Sequence, residues 1–139
     1  MRLVLTLCAC AGLAACASSR PIEPRLAPAS VNFGGAAEQR VELANFDFNP
    51  REIHLRAGRP YELELINTAS GGHDFTAPEF FAAAQIRADD AAIVAGGKVE
   101  VAGGATRRVH LIPAAGTYDL VCTHTGHALL GMKGKIIVE

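Results

Sequence analysis

The chain has 139 residues, which is enough for one small domain beside an export signal. Its 13 basic and 14 acidic side chains give a formal net charge of −1, and lysine and arginine form no cluster. Because binding to a phosphate backbone needs clustered basic side chains, this composition excludes nucleic acid as an expected partner.

The N-terminal stretch before Cys16 has the composition of an export signal. Arg2 gives it a basic start, a leucine- and alanine-rich stretch follows, and small residues precede the cysteine. The apolar part is too short to span a bilayer. The tetrapeptide Leu-Ala-Ala-Cys that ends at Cys16 resembles the lipobox of bacterial lipoproteins, in which cleavage precedes a cysteine that then carries the lipid. An ordinary secretory signal cut nearby is the alternative.

Lipidation would divide the chain into a signal (residues 1–15), the lipidated Cys16 with a flexible tether (residues 16–38), and a folded domain (residues 39–139). Three prolines and the lack of sustained periodicity indicate the tether. Two or more acyl chains anchor a protein stably to a membrane. Because Ala17 rather than aspartate follows the cysteine, resemblance to Gram-negative lipoproteins suggests retention at the outer membrane. We therefore expect a lipid-anchored protein on the periplasmic side of the cell envelope.

The four cysteines are not equivalent under this interpretation. Cys8 and Cys10 leave with the signal and Cys16 carries the lipid, so Cys122 is the one thiol of the folded part. It has no partner for a disulfide. A lone thiol in an oxidising compartment is commonly protected by a metal. The alternative is a buried, inert cysteine that packs as a small apolar side chain.

Short alternating runs begin after the tether and predict a β-sandwich. Apolar and polar residues alternate at period two, as in strands with one face on a core, and turn residues such as Asn49-Pro50 separate them. The predicted strands cover residues 40–45, 52–56, 61–67, 98–102, 106–112, 117–121 and 135–139.

One region between these strands lacks alternation. The alanine-rich segment Glu79 to Ile86 predicts one or two helical turns, and residues 88–97 are predicted to form a loop. The expected fold is therefore an all-β sandwich with one short helix in an inserted loop.

A short loop near the C-terminus carries three side chains that bind soft metals. Cys122, His127 and Met132 follow the strand at residues 117–121 within eleven residues. Thiolate and thioether favour Cu(I), imidazole suits both copper oxidation states, and two histidines, one cysteine and a weak axial methionine define a blue-copper site. A second histidine is needed to complete this set.

His73 is the best candidate for that second histidine. It follows the strand at residues 61–67 across turn-forming residues, where a loop at one end of the sandwich can meet the loop that carries Cys122. His54 and His110 instead lie inside alternating strands, which favours solvent-facing or packed strand residues.

Several of these segments together resemble a known family. Residues 48–58, residues 67–75 and residues 115–122, with His127 and Met132, look like a cupredoxin of the plastocyanin, azurin and rusticyanin type. The resemblance covers roughly Gln39 to Glu139. It implies a Greek-key sandwich of seven to eight strands and one type 1 copper ion.

The resemblance also implies a role for each ligand. By analogy His73 is the first imidazole ligand, Cys122 the thiolate, His127 the second imidazole and Met132 the axial thioether. Taken singly, each of these residues has an ordinary structural interpretation, as a loop histidine, a surface histidine or apolar core. Their order and spacing favour the joint interpretation as a copper site.

Three further residues have expected places around the metal. In azurin-like proteins the residue after the first histidine bonds across to the residue beside the cysteine, and Asp74 and Thr123 occupy those positions. Such outer contacts orient ligands and tune the potential. Gly72 matches a position whose carbonyl faces the metal opposite the methionine. A polar residue after a loop histidine can also simply cap a turn.

His124 departs from the family pattern, in which apolar residues or proline fill the loop between cysteine and histidine. Two residues after Cys122, it is poorly placed to share the same metal. A solvent-exposed loop histidine is the favoured interpretation. The alternative is an extra ligand for incoming copper or a protonation switch near the site.

The expected activity is single-electron transfer by Cu(I)/Cu(II) cycling rather than catalysis. Copper domains of nitrite reductases and multicopper oxidases place histidines directly beside the cysteine, whereas Val121 and Thr123 flank Cys122. One ligand set with no evident general base suits electron exchange. A copper chaperone or resistance protein that stores or delivers copper is the first alternative, and a metal-free sandwich for adhesion or assembly is the second.

The expected partner is a redox protein such as a c-type cytochrome or a terminal oxidase. Ala128, Leu129 and Leu130 would form an apolar contact patch at the edge of His127. Electron-transfer pairs use small, transient interfaces of this kind.

Overall fold

A computed structural model describes residues 20–139, which contain two β-sheets packed face to face. The predicted export signal and Cys16 lie outside the described residues. Alternating side chains place one face of a strand on the core and the other in solvent. The strands are β1 (Arg25–Leu26), β2 (Ala37–Ala44), β3 (Asp47–Asn49), β4 (Glu52–Leu55), β5 (Tyr61–Asn67), β6 (His73–Thr76), β7 (Gln85–Ile86), β8 (Lys98–Val101), β9 (Thr106–Ile112), β10 (Gly116–Val121) and β11 (Lys133–Val138).

The core lies between a six-stranded sheet, in the order β1-β7-β9-β5-β2-β3, and a five-stranded sheet, in the order β4-β11-β10-β6-β8. Side chains from both sheets meet there, and the rings of Phe48 on β3 and Phe75 on β6 make an edge contact with centroids 6.0 Å apart. Fully burying such a side chain contributes about 1.5–3 kcal/mol. The predicted all-β sandwich is confirmed, although residues 20–139 contain eleven strands rather than seven to eight.

The additional strands are short or fully covered. β1 and β7 have two residues each and β3 has three, which is too few for an alternating pattern to emerge. In β6 all four residues are buried, so apolar and polar positions do not alternate. His73, which was predicted to lie in a loop, is therefore the first residue of a strand and pairs with Val101 on β8.

The helical insertion differs from the prediction in both parts. Helix α1 covers Pro78–Ala83 and ends before β7, because Ala84 is extended and Ile86 pairs with Leu111 on β9. The segment predicted as a loop contains a 3₁₀ turn at Ala88–Asp90 and helix α2 at Ala91–Val94. None of the helices in residues 20–139 has the length and apolarity needed to cross a bilayer.

The described part of the predicted tether lies against the sandwich. β1 pairs in parallel with β7, the N–H of Ile22 donates to the carbonyl of Ala95 at 2.9 Å, and the N–H of Ala27 donates to that of Ile86 at 2.8 Å. The segment between Ile22 and Ala27 is therefore docked on the sandwich, where a flexible tether was expected. Residues 16–19 lie outside the described residues.

A charged cluster holds β9 to its neighbours. His110 Nε2 lies 2.9 Å from Glu62 Oε2 on β5, and His110 Nδ1 lies 3.0 Å from Asp90 Oδ2. The Asp90 carboxylate also accepts hydrogen bonds from the backbone N–H of His110 and from Arg87, both at 2.8 Å. Burial disfavours the charged carboxylate, but these hydrogen bonds outweigh it and lower the pKa of Asp90 below its ordinary value. His110 therefore joins the helical insertion to the sheet.

Candidate metal centre

His73 and Cys122 come from neighbouring strands of the five-stranded sheet. His73 begins β6, Cys122 directly follows β10, and these strands pair through Thr76 and Val121. The two residues were expected to meet between loops at one end of the sandwich, and adjacent strands of one sheet bring them together instead. Adjacent strands hold the imidazole and the thiol side by side, and the backbone N–H of Asp74 points to Cys122 Sγ at 3.5 Å.

The ligand loop, residues 122–132, brings His127 to the same place. Backbone hydrogen bonds close it: the N–H of Cys122 donates to the carbonyl of Met132 at 3.1 Å, and the N–H of Met132 donates to that of His127 at 3.0 Å. Gly126 has φ +83°, a conformation that glycine adopts without strain, and lets the chain turn just before His127. The loop is thus fixed by its own backbone.

Three side-chain donors converge in a triangle. His73 Nδ1 lies 3.1 Å from His127 Nδ1, and Cys122 Sγ lies 3.5 Å from His127 Nδ1 and 3.9 Å from His73 Nδ1. A trigonal metal with bonds of about 2.0 Å to nitrogen and about 2.3 Å to sulfur holds two nitrogens about 3.5 Å apart, and a nitrogen and a sulfur about 3.7 Å apart. The donor triangle therefore fits one metal ion with little rearrangement.

Met132 closes the loop beside this triangle. It is fully buried and packs in the core cluster that also contains Cys122. A thioether is a soft donor suited to copper, so the residue has the chemistry of the predicted axial ligand. Its coordination of the metal stays a prediction, as does coordination by the three donors of the triangle.

Burial shifts the pKa values of two of the free ligands, His73 and Cys122, in the direction of their neutral forms. It is the main cause that lowers the pKa of His73 below its ordinary value, and the nearby His127 and His124 add to the effect. Burial is also the main cause that raises the pKa of the Cys122 thiol, against the N–H groups of Asp74 and His124. His73 Nε2 is buried without a hydrogen-bond partner. Metal binding must displace the thiol proton, so uptake of copper is coupled to pH.

Asp74 ties the two ligand-bearing segments together. Its carboxylate accepts hydrogen bonds from the Thr123 N–H at 2.8 Å, the Thr123 hydroxyl at 2.6 Å and the Thr76 hydroxyl at 2.7 Å. The predicted link between Asp74 and Thr123 is thus present. Because Asp74 follows His73 and Thr123 follows Cys122, these bonds fix the spacing of two of the three donors.

His124 was expected to be a solvent-exposed loop histidine, but contacts with the rest of the protein hold it in place. Its Nε2 lies 2.5 Å from Glu100 Oε1 on β8, and its ring stacks on that of His127 with centroids 5.5 Å apart. A Cβ at Gly72 would lie only 3.1 Å from His124 Cε1, so glycine there makes room for this ring. The predicted role of the Gly72 carbonyl toward the metal stays a prediction.

Asp74, Glu100 and His124 form a second group of potential metal donors, with ligand atoms within 4.8 Å of one another. The Asp74 oxygens, however, already accept the three hydrogen bonds from Thr123 and Thr76. The Lys98 ammonium also lies 3.7 Å from Asp74 and 3.4 Å from Glu100. These partners already compensate the lone pairs and the negative charge of the two carboxylates. We therefore interpret the group as a hydrogen-bond network and not as a second metal site.

Phe46 is a site neighbour that the sequence did not reveal. Its ring meets that of His127 edge-on, with centroids 5.2 Å apart, and its φ of +62° is unusual for a residue with a side chain. Phe46, Leu129 and Leu130 are exposed large apolar residues that adjoin His127 in space or in sequence. We call these three the apolar rim. The pattern gave no signal for Phe46, because its contact joins distant parts of the chain.

Solved structures share the fold. An auracyanin from the photosynthetic bacterium Roseiflexus castenholzii, in its dithionite-reduced state, matches with TM-score 0.56 and 21% identity over 76% of this chain and 99% of that chain. Auracyanin B matches with TM-score 0.58 and 21% identity over 88% and 99%. The McoA multicopper oxidase from the hyperthermophile Aquifex aeolicus matches with TM-score 0.61 and 20% identity over 83% of this chain but 31% of its own.

Sequence comparison gives the family. No curated protein matches the chain. The profile of the copper-binding proteins of the plastocyanin/azurin family matches residues 36–139, which are most of the chain. Together with the donor triangle, this match identifies the cofactor as one type 1 copper ion. The chain belongs to the plastocyanin/azurin family of copper-binding proteins.

Proposed function

We propose that this protein is a single-electron carrier of the cell envelope and not an enzyme. The observation that carries the proposal is the donor triangle of His73, His127 and Cys122, which neighbouring strands and a self-bonded loop hold in place. Copper, when bound, supplies a one-electron couple between Cu(I) and Cu(II). A ligand set that does not move between the two states suits electron exchange.

Each side chain has a distinct part in this proposal. His73, Cys122 and His127 would hold the metal through two imidazole nitrogens and a thiolate, and the buried Met132 would offer a thioether donor. The Asp74 carboxylate keeps His73 and Cys122 at a fixed spacing through Thr123. Val121 and Thr123 beside the cysteine offer no imidazole for a second metal, which supports a carrier over an oxidase.

The spectrum of the copper-loaded protein tests this proposal. We expect an intense visible band from thiolate-to-copper charge transfer, the electron paramagnetic resonance signal of a type 1 site, and reversible reduction with retention of the metal. A colourless copper-loaded protein would contradict the proposal. Loss of copper to an apo acceptor on each redox cycle would favour the delivery of copper instead.

We further propose that a redox partner, such as a c-type cytochrome or a terminal oxidase, docks at the apolar rim. Leu129 is 91% exposed and Leu130 is 62% exposed beside the partly buried His127. Exposed leucines are costly in water and gain free energy when a partner covers them. The resulting contact is small and short-lived, as electron transfer requires.

A matched pair of leucines tests the docking surface. Leu129→Ser should slow electron exchange with the partner. Leu26→Ser, which changes an exposed leucine on β1 of the six-stranded sheet, should leave the exchange rate unchanged. Both variants should keep the visible band of the wild type. Equal exchange rates for the two variants would place docking elsewhere.

The envelope location is also part of the proposal. The sequence that ends at Cys16 supports a lipid anchor on the periplasmic side of the outer membrane. Cys16→Ala should move the protein from the membrane fraction to the soluble fraction and abolish incorporation of labelled fatty acid. Cys8→Ala, inside the signal, is the matched control and should change neither.

A further inference from the structure

The ring of His124 lies against the donor triangle without belonging to it. It stacks on His127 at an interplanar angle of 29°, and its centroid lies 6.4 Å from that of His73. Its side chain is 33% exposed, so most of it is covered by the protein. A histidine in this position changes the surroundings of the metal whenever it changes orientation.

Backbone N–H groups also surround the cysteine sulfur. That of Asp74 points to Cys122 Sγ at 3.5 Å, and that of His124 acts with it to lower the pKa of the thiol, against the effect of burial. Hydrogen bonds to the cysteine sulfur tune the potential of blue-copper sites. Because His124 lies two residues after Cys122, a change in its position reaches the surroundings of the thiolate.

Glu100 determines that orientation. Its Oε1 lies 2.5 Å from His124 Nε2, and its Oε2 lies 3.4 Å from the Lys98 ammonium on the same strand. A carboxylate only accepts hydrogen bonds, so Nε2 must carry the proton. Because Glu100 sits on β8, which pairs with β6, the contact connects the ligand loop to the strand beside His73.

Glu100 also brings negative charge to the ligands. Its charge acts to raise the pKa of both His73 and Cys122, in the same direction as the buried Asp74. A negative charge near the metal stabilises the oxidised ion over the reduced ion, because Cu(II) carries one more positive charge. Glu100 can thus act on the centre by geometry and by charge.

We propose that Glu100 is a positioning residue of the copper centre. It holds the His124 ring against the His127 imidazole and biases the site toward the oxidised ion. This inference rests on the proposed function as a copper electron carrier. It assigns a tuning role to a residue that neither coordinates copper nor adjoins a ligand along the chain.

Two substitutions separate geometry from charge. Glu100→Gln keeps an oxygen that accepts from His124 Nε2 but removes the charge, whereas Glu100→Ala removes both. Glu52→Gln is the matched control, since Glu52 is an exposed glutamate 3.9 Å from His54 on β4. The copper-loaded protein is studied by redox titration, visible absorption and electron paramagnetic resonance.

Both Glu100 variants should increase the Cu(I)/Cu(II) ratio at a fixed ambient potential, by roughly 1.5- to 5-fold for a partly exposed charge. Only Glu100→Ala should also shift the visible band and the copper hyperfine splitting. In the metal-free protein, the imidazole resonances of His124 should move in Glu100→Ala and stay near the wild type in Glu100→Gln. Glu52→Gln should match the wild type throughout.

Two outcomes overturn the inference in different ways. In the first outcome, the wild-type protein shows the intense visible band, and Glu100→Ala has the same redox ratio and spectra as the wild type. This result would show that Glu100 has no role at the centre. A colourless wild-type protein would instead overturn the proposed function, and this inference would fall with it.

Discussion

The two histidine clusters of this protein are built in opposite ways. Around His110, both ring nitrogens face carboxylate oxygens, from Glu62 and Asp90. Around His73, Nδ1 faces the nitrogen of another imidazole and the sulfur of a thiol, while Nε2 is buried with no partner. One histidine is fully satisfied by the protein, and the other is not.

The difference separates a structural histidine from a metal ligand. Buried polar groups are normally paired within the protein, since an unpaired one costs about 1–3 kcal/mol. A group of nitrogen and sulfur donors that converge on one point is what a bound cation requires. His110 therefore contributes to folding, whereas we propose that His73 and His127 contribute to metal binding.

The largest expected effect is on copper affinity. His73→Gln removes one corner of the donor triangle, so we expect copper affinity to fall by more than about 100-fold, beyond the loss typical of residues behind the ligands. His110→Gln should leave the affinity and the visible band unchanged. Isothermal titration with copper and absorption spectra measure both variants. A comparable loss in both would break the distinction between the clusters.

The next effect concerns stability and reverses the order of the two sites. In the metal-free protein, His110→Ala leaves Asp90 buried without its imidazole partner, so the free energy of unfolding should fall by about 2–3 kcal/mol. His73→Gln should lower it by less, because His73 Nε2 has no hydrogen bond to lose. Urea denaturation of the metal-free variants gives the comparison. A greater loss for His73→Gln would contradict it.

The clusters should also respond to acid in different pH ranges. The pKa of His73 is lowered from 6.5, mainly by burial, so the unfolded chain binds a proton that the folded metal-free protein does not. Stability should then decrease as the pH falls below 6.5, with a slope of up to about 1.4 kcal/mol per pH unit. The pKa of Asp90 is lowered from 3.8, so its contribution is present above that value and is lost as the pH falls further.

Variants assign the two pH ranges. His73→Gln should flatten the decrease below pH 6.5, and Asp90→Asn should flatten the one below pH 3.8. The free energy of unfolding, measured by denaturation across this pH series, is the readout. Unchanged slopes in both variants would show that other groups control the acid response.

The smallest effect comes from the aromatic ring that contacts a histidine of each cluster. Phe33 meets His110 edge-on at 5.8 Å, and Phe46 meets His127 edge-on at 5.2 Å. Such contacts are worth about 0.5–1.5 kcal/mol. Phe33→Ala should therefore reduce stability slightly and leave copper unaffected, whereas Phe46→Ala should change electron exchange at His127. Denaturation and exchange kinetics together distinguish them, and identical behaviour would argue against separate roles.

The sequence predicted the parts of the molecule that depend on local pattern. β5 and β9 were predicted with their observed bounds, because apolar and polar residues alternate over part of each strand. β6 was missed because it is buried on both faces, so His73 was predicted in a loop. The residues of the donor triangle were recognisable from their side-chain chemistry. The contact between Glu100 and His124 was not, since residues 24 positions apart meet only through the sheet.

The edge strands of both sheets affect how readily the protein aggregates at high concentration. In the part of the chain that the structure describes, the edge strands β1, β3, β4 and β8 have four residues or fewer. A short edge exposes few unpaired backbone groups to which a strand of another molecule could add. The docked segment at β1 covers what would otherwise be the edge of β7. Strand-by-strand aggregation is thereby disfavoured, which suits a protein that we propose to be anchored at a membrane surface.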